Sequence, residues 1–201
     1  MLKYPVDIQT LYNSVNITAV YFNVGFDMTS SRLALRPLQP TDDILFKSAI
    51  AEFKTEALSF QFVLGYDESI PFTAWIERLK MWLSGEGLPN VPNTFLVGVV
   101  DGEIVGRVSI RHYLDNFLRK VGGHVGYGVV PKYRHRGYAT EILRQSLPVC
   151  LSLGIDRILL TCDVENVGSQ KVIERCGGIF ENTIDNPQTK GKERRYWIDI
   201  R

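Results

Sequence analysis

Apolar residues recur in this chain with a helical spacing at two places near its start. After Thr41, apolar residues return every four positions, and after Phe72 they follow the i, i+3, i+4, i+7 pattern of an amphipathic helix. Thr41 or Asp42 is expected to be the N-cap of the first helix, because their side-chain oxygens can accept from free N–H groups. The predicted apolar faces consist of Leu45, Ala49, Phe53, Ala57, Phe72, Trp75, Ile76, Leu79, Trp82 and Leu83.

Runs of β-branched and apolar residues bounded by turn signals predict the strands. The predicted strands are residues 32–37, 94–100, 104–110, 125–130, 157–162, 179–180 and 195–200. The second and third of these flank Asp101-Gly102, a strong two-residue hairpin signal. A polar loop, residues 111–123, follows the hairpin, and its apolar Leu114, Phe117 and Leu118 are expected to tuck down in a short turn.

Two more helices are predicted in the second half of the chain. The first begins near Tyr138, and its buried face is expected to hold Ala139, Ile142, Leu143, Leu147, Cys150 and Leu151. Pro148 lies inside this helix, removes one hydrogen bond and is expected to kink it or loosen its last turns. Asn166 is the expected N-cap of the last helix, which Gly177 ends. The order of elements predicts an α/β (α+β) domain.

The turn between the strand 125–130 and the following helix has the composition of an anion site. Pro131 ends the strand, and Gly137 and Ala139 flank Tyr138 where the helix begins, so several backbone N–H groups are uncovered there. Those donors and the positive end of the helix dipole favour a phosphate or pyrophosphate. Arg134, His135 and Arg136 add side-chain donors at the same point.

Two motifs resemble those of a known family. Arg134-x-x-Gly137-x-Ala139 is similar to the acetyl-CoA pyrophosphate loop of the GCN5-related N-acetyltransferase (GNAT) superfamily. Asn166-x-x-Ser169, followed by Gly177-Gly178, is similar to that family's next conserved segment. The resemblance covers about residues 31–201 and implies the GNAT acyl-CoA N-acyltransferase fold. That fold has a mixed, mostly antiparallel twisted sheet flanked by helices, with a splayed parallel pair of strands at the cofactor cleft.

Residues 1–30 precede the part of the chain that resembles the family. Their strand-like stretches lie before the family's first strand, and Met28 would serve as a natural beginning. We therefore expect residues 1–27 to be an accessory extension outside the catalytic fold, and the domain itself to occupy residues 31–201.

The resemblance implies an enzyme that transfers an acetyl group from acetyl-CoA to a primary amine by direct attack on the thioester. The acceptor would be a small molecule or a peptide, in a pocket bordered by the two N-terminal helices. The implied cofactor-binding residues are Val129, Arg134, His135, Arg136, Gly137, Tyr138, Ala139, Thr140 and Asn166. An ordinary basic turn and an ordinary N-cap are the alternative interpretations of the loop and of Asn166.

The catalytic acid and base are less defined by the resemblance. Many members of the family have a Tyr seven residues after the Asn, whereas this chain has Ile173, so Ser169 is the candidate that steadies the leaving thiolate. His112 and His124 bracket the loop that should border the acceptor and are candidate bases, because a histidine titrates near neutral pH. Glu103, Tyr127 and Glu165 are also available, and a base acting through water is an equal alternative.

The missing Tyr motivates a second interpretation from another class. The chain would then be a sensor or regulatory domain that binds CoA or acetyl-CoA without turnover. Nucleotide-binding and hydrolase interpretations are poor, because the Gly-x-x-x-x-Gly-Lys-Ser/Thr and Gly-x-Ser-x-Gly motifs are absent from the sequence.

Composition and charge limit the partners and the cellular compartment that we expect for the protein. A formal net charge of +1 over 201 residues gives no reason to expect a nucleic-acid or membrane partner. Cys150, Cys162 and Cys176 lie in apolar patterns and are expected to be reduced thiols of a cytoplasmic protein, without disulfides or a metal site. The basic run 190–195 is interpreted as a solvated hairpin turn. We expect a monomer or a homodimer.

Overall fold

Two antiparallel sheets form the framework of the domain. The computed structural model describes residues 33–54, 62–87 and 91–200. In that part of the chain, one sheet has four strands in the order β1-β2-β3-β4 and the other has three in the order β5-β7-β6. The strands are β1 (Ala34–Arg36), β2 (Asn93–Val100), β3 (Glu103–Arg111), β4 (Val125–Val129), β5 (Arg157–Asp163), β6 (Ile179–Asp185) and β7 (Lys192–Asp199). The predicted accessory segment, residues 1–27, and Ala57 lie outside the described residues.

The β2–β3 hairpin forms where Asp101-Gly102 predicted it. Asp101 and Gly102 have φ angles of +50° and +82°, and two successive positive φ values match the twist of a two-residue hairpin turn. The long β2–β3 ladder runs from Val100 opposite Glu103 to Asn93 opposite Arg111. Sequence-local turn chemistry therefore fixes the centre of the first sheet.

Helices cover both faces of the first sheet. They are α1 (Asp43–Lys54), α2 (Phe72–Met81), α3 (Tyr138–Ser152) and α4 (Val167–Arg175). One apolar core joins α1 and α2 to residues such as Phe95 and Val97 on one face, and a second core joins α3 to the other face. The aromatic residues of the second predicted helix are buried in the first of these cores, with Trp75 only 1% exposed, so the predicted apolar face packs into the protein.

The start of α1 differs from the prediction. A 3-10 turn, Pro40–Asp42, precedes the helix, and its N-cap residue is Gln39 instead of Thr41 or Asp42. The carboxylate of Asp42 accepts the Gln39 N–H at 2.8 Å and the Arg36 guanidinium at 2.6 and 2.8 Å. Asp42 is therefore buried as the partner of a cation, a role that local helix-start rules do not reveal.

Helix α3 is buried on more sides than its predicted stripe, because it lies between the first sheet and α4. Gln145, one of its fully buried residues, donates to the Leu33 carbonyl at 2.8 Å and accepts from Leu35 N–H at 3.3 Å. This side chain therefore supplies hydrogen bonds to the backbone beside β1. Pro148 lies inside the helix, which continues through it to Ser152.

Two expectations for the surface were wrong in part. The final hairpin has longer strands than predicted, and Arg194 and Arg195 of the basic run belong to β7 instead of to its turn. The Arg195 side chain is 14% exposed and donates to Glu181 at 2.8 Å. In the loop after β3, Leu114 is buried as expected, but Phe117 is 38% exposed.

The Cys150, Cys162 and Cys176 side chains are free thiols, of which Cys150 and Cys162 are buried. Within residues 33–54, 62–87 and 91–200, no group of His, Cys, Asp and Glu is arranged to hold a metal ion. The helices in the described part of the chain are also too short or too polar for one of them to cross a membrane.

Candidate active site

The two sheets meet at one joint and separate beyond it. His124, just before β4, donates its N–H to the Leu159 carbonyl of β5 at 2.7 Å, and Leu159 N–H donates to Nδ1 of His124 at 2.9 Å. In the described chain, β4 forms a ladder with β3 and β5 forms one with β7, so β4 and β5 belong to different sheets. Among the described strands, β4 and β5 are edge strands of their sheets, and we call the space between their unpaired edges the gap, with its closed end at His124.

Backbone groups of β4 face this gap. Hydrogen bonds from Arg111 N–H to His124 O and from Val130 N–H to Val105 O fix which residues of β4 bond to β3. Because hydrogen-bonded and outward-facing residues alternate along an antiparallel strand, the N–H and C=O groups of Tyr127 and Val129 point away from β3. The edge of β4 therefore offers donors and acceptors to an extended ligand in the gap.

The loop at the open end of the gap leads into an uncovered helix terminus. Gly137 is the N-cap of α3 with a φ of +83°, and the first helical hydrogen bond is from Glu141 N–H to Gly137 O at 3.1 Å. Tyr138, Ala139 and Thr140 precede that first bond, so their N–H groups have no helical acceptor. A Cβ built on Gly137 would meet no atom within 4 Å, and the space in front of these donors is open.

Basic side chains surround this loop. Arg134 donates from Nε to the Val129 carbonyl at 3.2 Å and lies 5.9 Å from the Phe53 ring centroid. The Arg136 guanidinium lies 5.7 Å from the centroid of the Tyr133 ring, and His135 is exposed with a positive φ of 60°. The two guanidinium groups and the start of the α3 dipole make the open end of the gap electropositive.

The start of α4 forms the opposite side of the gap. Asn166 is its N-cap, as predicted, and its Oδ1 accepts the Ser169 N–H at 2.9 Å. The Tyr127 hydroxyl of β4 donates across the gap to the Ser169 carbonyl at 3.4 Å, and burial raises the pKa of this phenol. Tyr127, from a strand of the first sheet, therefore meets the first turn of α4, which follows a strand of the second sheet, at Ser169.

Ile173, which stands where many family members have a Tyr, is a core residue. It is 1% exposed and packs in the core with α3. A Cβ on Gly178 would run into the Ile173 side chain and carbonyl. The side chain at this position points into the protein, so α4 offers no phenol to the gap there.

The two candidate histidines have different surroundings. His124 lies at the closed end of the gap, and its Nδ1 is already an acceptor. His112 is 6% exposed, and its Nε2 lies 2.8 Å from Thr94 Oγ1 on β2, on the side of β3 away from the gap. Burial lowers the pKa of each histidine to about 4, and for His124 the charges of Arg111 and Arg119 contribute as well.

Two arginines near the gap were not identified from the sequence. Arg107 and Arg111 alternate with core residues along β3, a pattern that is also typical of a strand with one solvated face. In the structure they lie on the face that α1 and α2 cover. Arg107 donates to the Gly126 carbonyl at 2.9 Å, and Arg111 donates to the Gly122 and Gly123 carbonyls at 3.1 Å each.

This arrangement suits a long ligand with an anionic group in its middle. The uncovered N–H groups and basic side chains can hold a diphosphate, and the edge of β4 can bond an extended amide-bearing chain in the gap. The glycine at Gly137 removes the side chain that would stand in front of these donors. The residues that are present therefore fit CoA or an acyl-CoA.

Comparisons with known proteins agree with this geometry. The family model described as "Acetyltransferase (GNAT) domain" matches residues 32–179. No curated protein matches the chain.

Solved structures similar to this one carry acetyltransferase names. RimJ from Mycobacterium smegmatis, in complex with CoA-disulfide, is 20% identical with a TM-score of 0.64, and the match covers 83% of this chain and 81% of that one. A Salmonella typhimurium acetyl transferase that modifies the N-terminal serine of ribosomal protein L7/L12 is 16% identical with a TM-score of 0.63, covering 86% and 97%. The microcin C7 self-immunity acetyltransferase MccE, in complex with acetyl-CoA and AMP, is 15% identical with a TM-score of 0.62, covering 84% and 92%. At these identities the likeness is one of fold.

Proposed function

The chain belongs to the GNAT family of acetyltransferases, whose cosubstrate is acetyl-CoA, and we propose that it forms an amide between the acetyl carbon and a primary amine. In the proposed reaction the amine nitrogen bonds to the acetyl carbon, the carbon–sulfur bond breaks, and CoA leaves with its thiol. Acetyl-CoA supplies an acetyl group that is already activated as a thioester. The protein residues need only bind, orient and manage protons.

The open N-terminus of α3 is the observation that carries this proposal. We infer that Gly137, Tyr138, Ala139 and Thr140 bind the diphosphate through their N–H groups, because these donors are uncovered and the space before Gly137 is open. Arg134 and Arg136 would add cationic donors, and the His135 ring would add a further N–H donor. Arg134 now donates to the Val129 carbonyl, so this side chain would exchange one partner when an anion binds.

Groups on both sides of the gap would hold the extended arm of the cosubstrate. The Val129 backbone points away from β3 into the gap, and Asn166 lies at the start of α4, the helix that follows β5. The Oδ1 of Asn166 caps the helix, but its amide nitrogen has two N–H groups of its own. An N-cap role and a contact with the arm are therefore compatible.

Direct transfer is favoured over a covalent acetyl-enzyme. The Cys162 and Cys176 thiols are close enough to Tyr127 to affect its pKa, and burial raises their own pKa values to about 12 and about 11. A thiol that keeps its proton at neutral pH is a weak nucleophile. The amine itself is then the group that attacks.

Ser169 is our candidate for steadying the leaving thiolate. It lies in the first turn of α4, where the helix dipole also favours negative charge, and Ile173 offers no alternative donor. A serine hydroxyl donates a hydrogen bond but does not give up its proton at neutral pH, so the proton on the departing sulfur would come from solvent.

Removal of the proton from the amine is proposed to use water. His124 accepts at Nδ1 from Leu159, so its neutral ring carries the proton on Nε2 and neither nitrogen is open to another proton. His112 contacts β2, away from the gap. We therefore propose that both histidines position other groups, instead of acting as the bases that the sequence suggested.

The acceptor is proposed to be a small molecule or a peptide. The pocket would lie between α1, α2 and the loop 111–123, on the face of the first sheet away from α3. Peptide termini deserve inclusion in a screen because the similar Salmonella protein modifies an N-terminal serine.

Thermal unfolding with acetyl-CoA, with CoA and with ATP tests the proposal. A ligand at about a hundred times its dissociation constant adds about 2.7 kcal/mol to the free energy of unfolding, which gives a measurable rise in Tm. We expect a rise with both CoA species and none with ATP. Absence of a rise with acetyl-CoA would overturn the site assignment, whereas a rise would be followed by thiol-release assays on an amine panel.

A further inference from the structure

Two guanidinium groups converge over a glycine of β4 close to the gap. A Cβ built on Gly126 would lie 3.5 Å from Nη1 and 3.6 Å from Nη2 of Arg111, and 3.7 Å from Nη1 of Arg107. Gly126 has no side chain to separate the guanidinium groups from the strand, and it is partly exposed. The next residue, Tyr127, turns its backbone toward the gap, so this pair of cations is adjacent to the proposed reaction site.

The charge of Arg111 is not balanced by a carboxylate among the described residues. In residues 33–54, 62–87 and 91–200, the hydrogen bonds of its guanidinium are those from Nη1 to the Gly122 and Gly123 carbonyls, and no acidic side chain forms an ion pair with it. Asp115 attracts this charge from a distance, but its Oδ1 accepts the N–H groups of Phe117 and Leu118.

Both arginines nevertheless stay protonated at neutral pH. Burial lowers the pKa of Arg111 to about 10 and that of Arg107 to about 9, and the charge of Arg111 contributes to the second value. A half-buried guanidinium that keeps its charge without an ion-pair partner gains more from an incoming anion than an exposed one would, because water screens it less.

We propose that Arg111, with the charge of Arg107 beside it, binds a carboxylate of the amine acceptor, so that the enzyme prefers amines that also carry a carboxylate. The proposal rests on the acetyl transfer proposed above. Two carbonyls occupy Nη1 of Arg111, which leaves the Nε–Nη2 edge of the guanidinium. That edge presents two parallel N–H groups at the spacing of a carboxylate's two oxygens.

The position of Arg111 favours binding of a group of the acceptor over binding of a group of the cosubstrate. Arg111 lies at the end of β3, where its N–H donates to the His124 carbonyl at the closed end of the gap, whereas the proposed diphosphate site is at the open end, at the N-terminus of α3. The two anion sites are therefore at different ends of the gap. A molecule bound at Arg111 would approach the gap from the end opposite to the diphosphate.

Matched amine pairs test this preference. Thiol release from acetyl-CoA would be measured with β-alanine, 6-aminohexanoate, glycylglycine and trialanine, each compared with its own carboxamide. We expect at least a tenfold higher kcat/KM for the carboxylate member of one or more pairs. Arg111→Gln should bring that ratio close to one, because it should raise KM for the carboxylate far more than KM for the carboxamide.

Two further variants distinguish the planar geometry of the Arg111 guanidinium from its charge and from general effects on folding. Arg111→Lys keeps the charge without the planar fork and should retain part of the preference. Lys120→Gln removes an exposed charge from the same loop and should leave the preference unchanged. Tm with and without acetyl-CoA is recorded for every variant, which identifies any variant that does not fold. If Arg111→Gln does not fold, Arg111→Lys is used in its place.

The outcomes distinguish the two proposals. A ratio below twofold in every pair, a lack of turnover with all carboxylates, or a full preference in Arg111→Gln would each overturn the carboxylate subsite while acetyl-CoA still raises Tm. A protein whose Tm acetyl-CoA does not change would instead overturn the proposed function on which the subsite rests.

Discussion

His124 and Leu159 exchange two hydrogen bonds, one from the His124 N–H to the Leu159 carbonyl at 2.7 Å and one from the Leu159 N–H to His124 Nδ1 at 2.9 Å. The pair joins the two sheets at the closed end of the gap. An imidazole nitrogen that accepts a hydrogen bond must be unprotonated, so the joint in this form requires neutral His124. Burial and nearby cations favour the same state and lower the pKa of His124 to about 4.

Stability is therefore expected to fall on mild acidification. A histidine in the unfolded chain titrates near pH 6.5, so between about 6.5 and 4 the unfolded state binds the proton more strongly. The stability contributed by His124 is complete above pH 6.5 and is lost as the pH falls toward 4. Buried His112, whose pKa is also about 4, contributes in the same direction. Each contribution is on the order of 3 kcal/mol.

Urea unfolding at pH 7.5, 5.5 and 4.5 measures how the free energy of unfolding changes with pH. His124→Asn offers a carbonyl oxygen as acceptor but does not titrate, so it should flatten the pH dependence by the share of one histidine. His135→Asn is the matched control, because His135 is exposed in the loop before α3. If the free energy of unfolding of His124→Asn depends on pH as steeply as that of the unaltered protein, the proposed role of His124 is wrong.

Gly137→Val should abolish the stabilisation by acetyl-CoA. A valine at a φ of +83° is strained, and its side chain would enter the open space in front of the free N–H groups of α3. We expect the variant to lose about 1–3 kcal/mol of unfolding free energy and to show no rise in Tm with acetyl-CoA.

Gly154→Val is the matched control for that strain. Gly154 follows the other end of α3, has a φ of +77° and also has no atom within 4 Å of a built Cβ. It should lose a similar amount of stability but keep the response to acetyl-CoA. A normal response in Gly137→Val would mean that the diphosphate binds elsewhere.

Features that depend on a few neighbouring residues were predictable from the sequence. A tight two-residue hairpin turn requires two positive φ angles. Asp and Gly adopt them more easily than most residues, and Asp101 and Gly102 do so here. Asn166 marks a helix start through its side-chain oxygen and Gly137 through the positive φ that glycine adopts easily, and the structure has helices beginning after both. The N-cap prediction for Asn166 and the glycine at the start of α3 needed no knowledge of distant residues.

Features set by tertiary contacts were not predictable in the same way. The alternation of Arg107 and Arg111 with apolar residues is the same whether the polar face meets water or meets α1 and α2. Arg194 and Arg195 looked like part of a solvated turn because the length of β7 depends on its pairing with β5 and β6. His124 could not be identified as a joint because its partner, Leu159, is 35 residues away.

Asp42→Ala should destabilise the protein far more than a change at its neighbour. The Asp42 and Arg36 side chains are 4% and 18% exposed, so removing the carboxylate leaves a largely buried cation and an unpaired Gln39 N–H. Losses of about 3–5 kcal/mol are typical when one partner of a buried pair is removed.

Asp43→Ala serves as the control for Asp42→Ala. Asp43 pairs with Lys47 at the surface, where both side chains are at least 40% exposed, and such pairs contribute about 1 kcal/mol or less. Urea denaturation at neutral pH would compare the two variants. Equal losses of unfolding free energy would show that the buried Arg36–Asp42 pair stabilises the protein no more than the exposed Asp43–Lys47 pair.

Ser169→Ala tests the proposed contact with the leaving thiolate. A hydrogen bond to a charged group contributes about 1.5–3 kcal/mol, so if the serine hydroxyl donates mainly in the transition state, kcat should fall about 10- to 100-fold. The dissociation constant of acetyl-CoA should change much less, since the sulfur is uncharged in the bound thioester. Ser169→Thr keeps a hydroxyl and should recover part of the rate, whereas Ser152→Ala, at the far end of α3, should match the unaltered protein. Equal losses of kcat and of acetyl-CoA affinity would instead identify Ser169 as a binding contact, because an interaction that is the same in the ground and transition states does not lower the barrier.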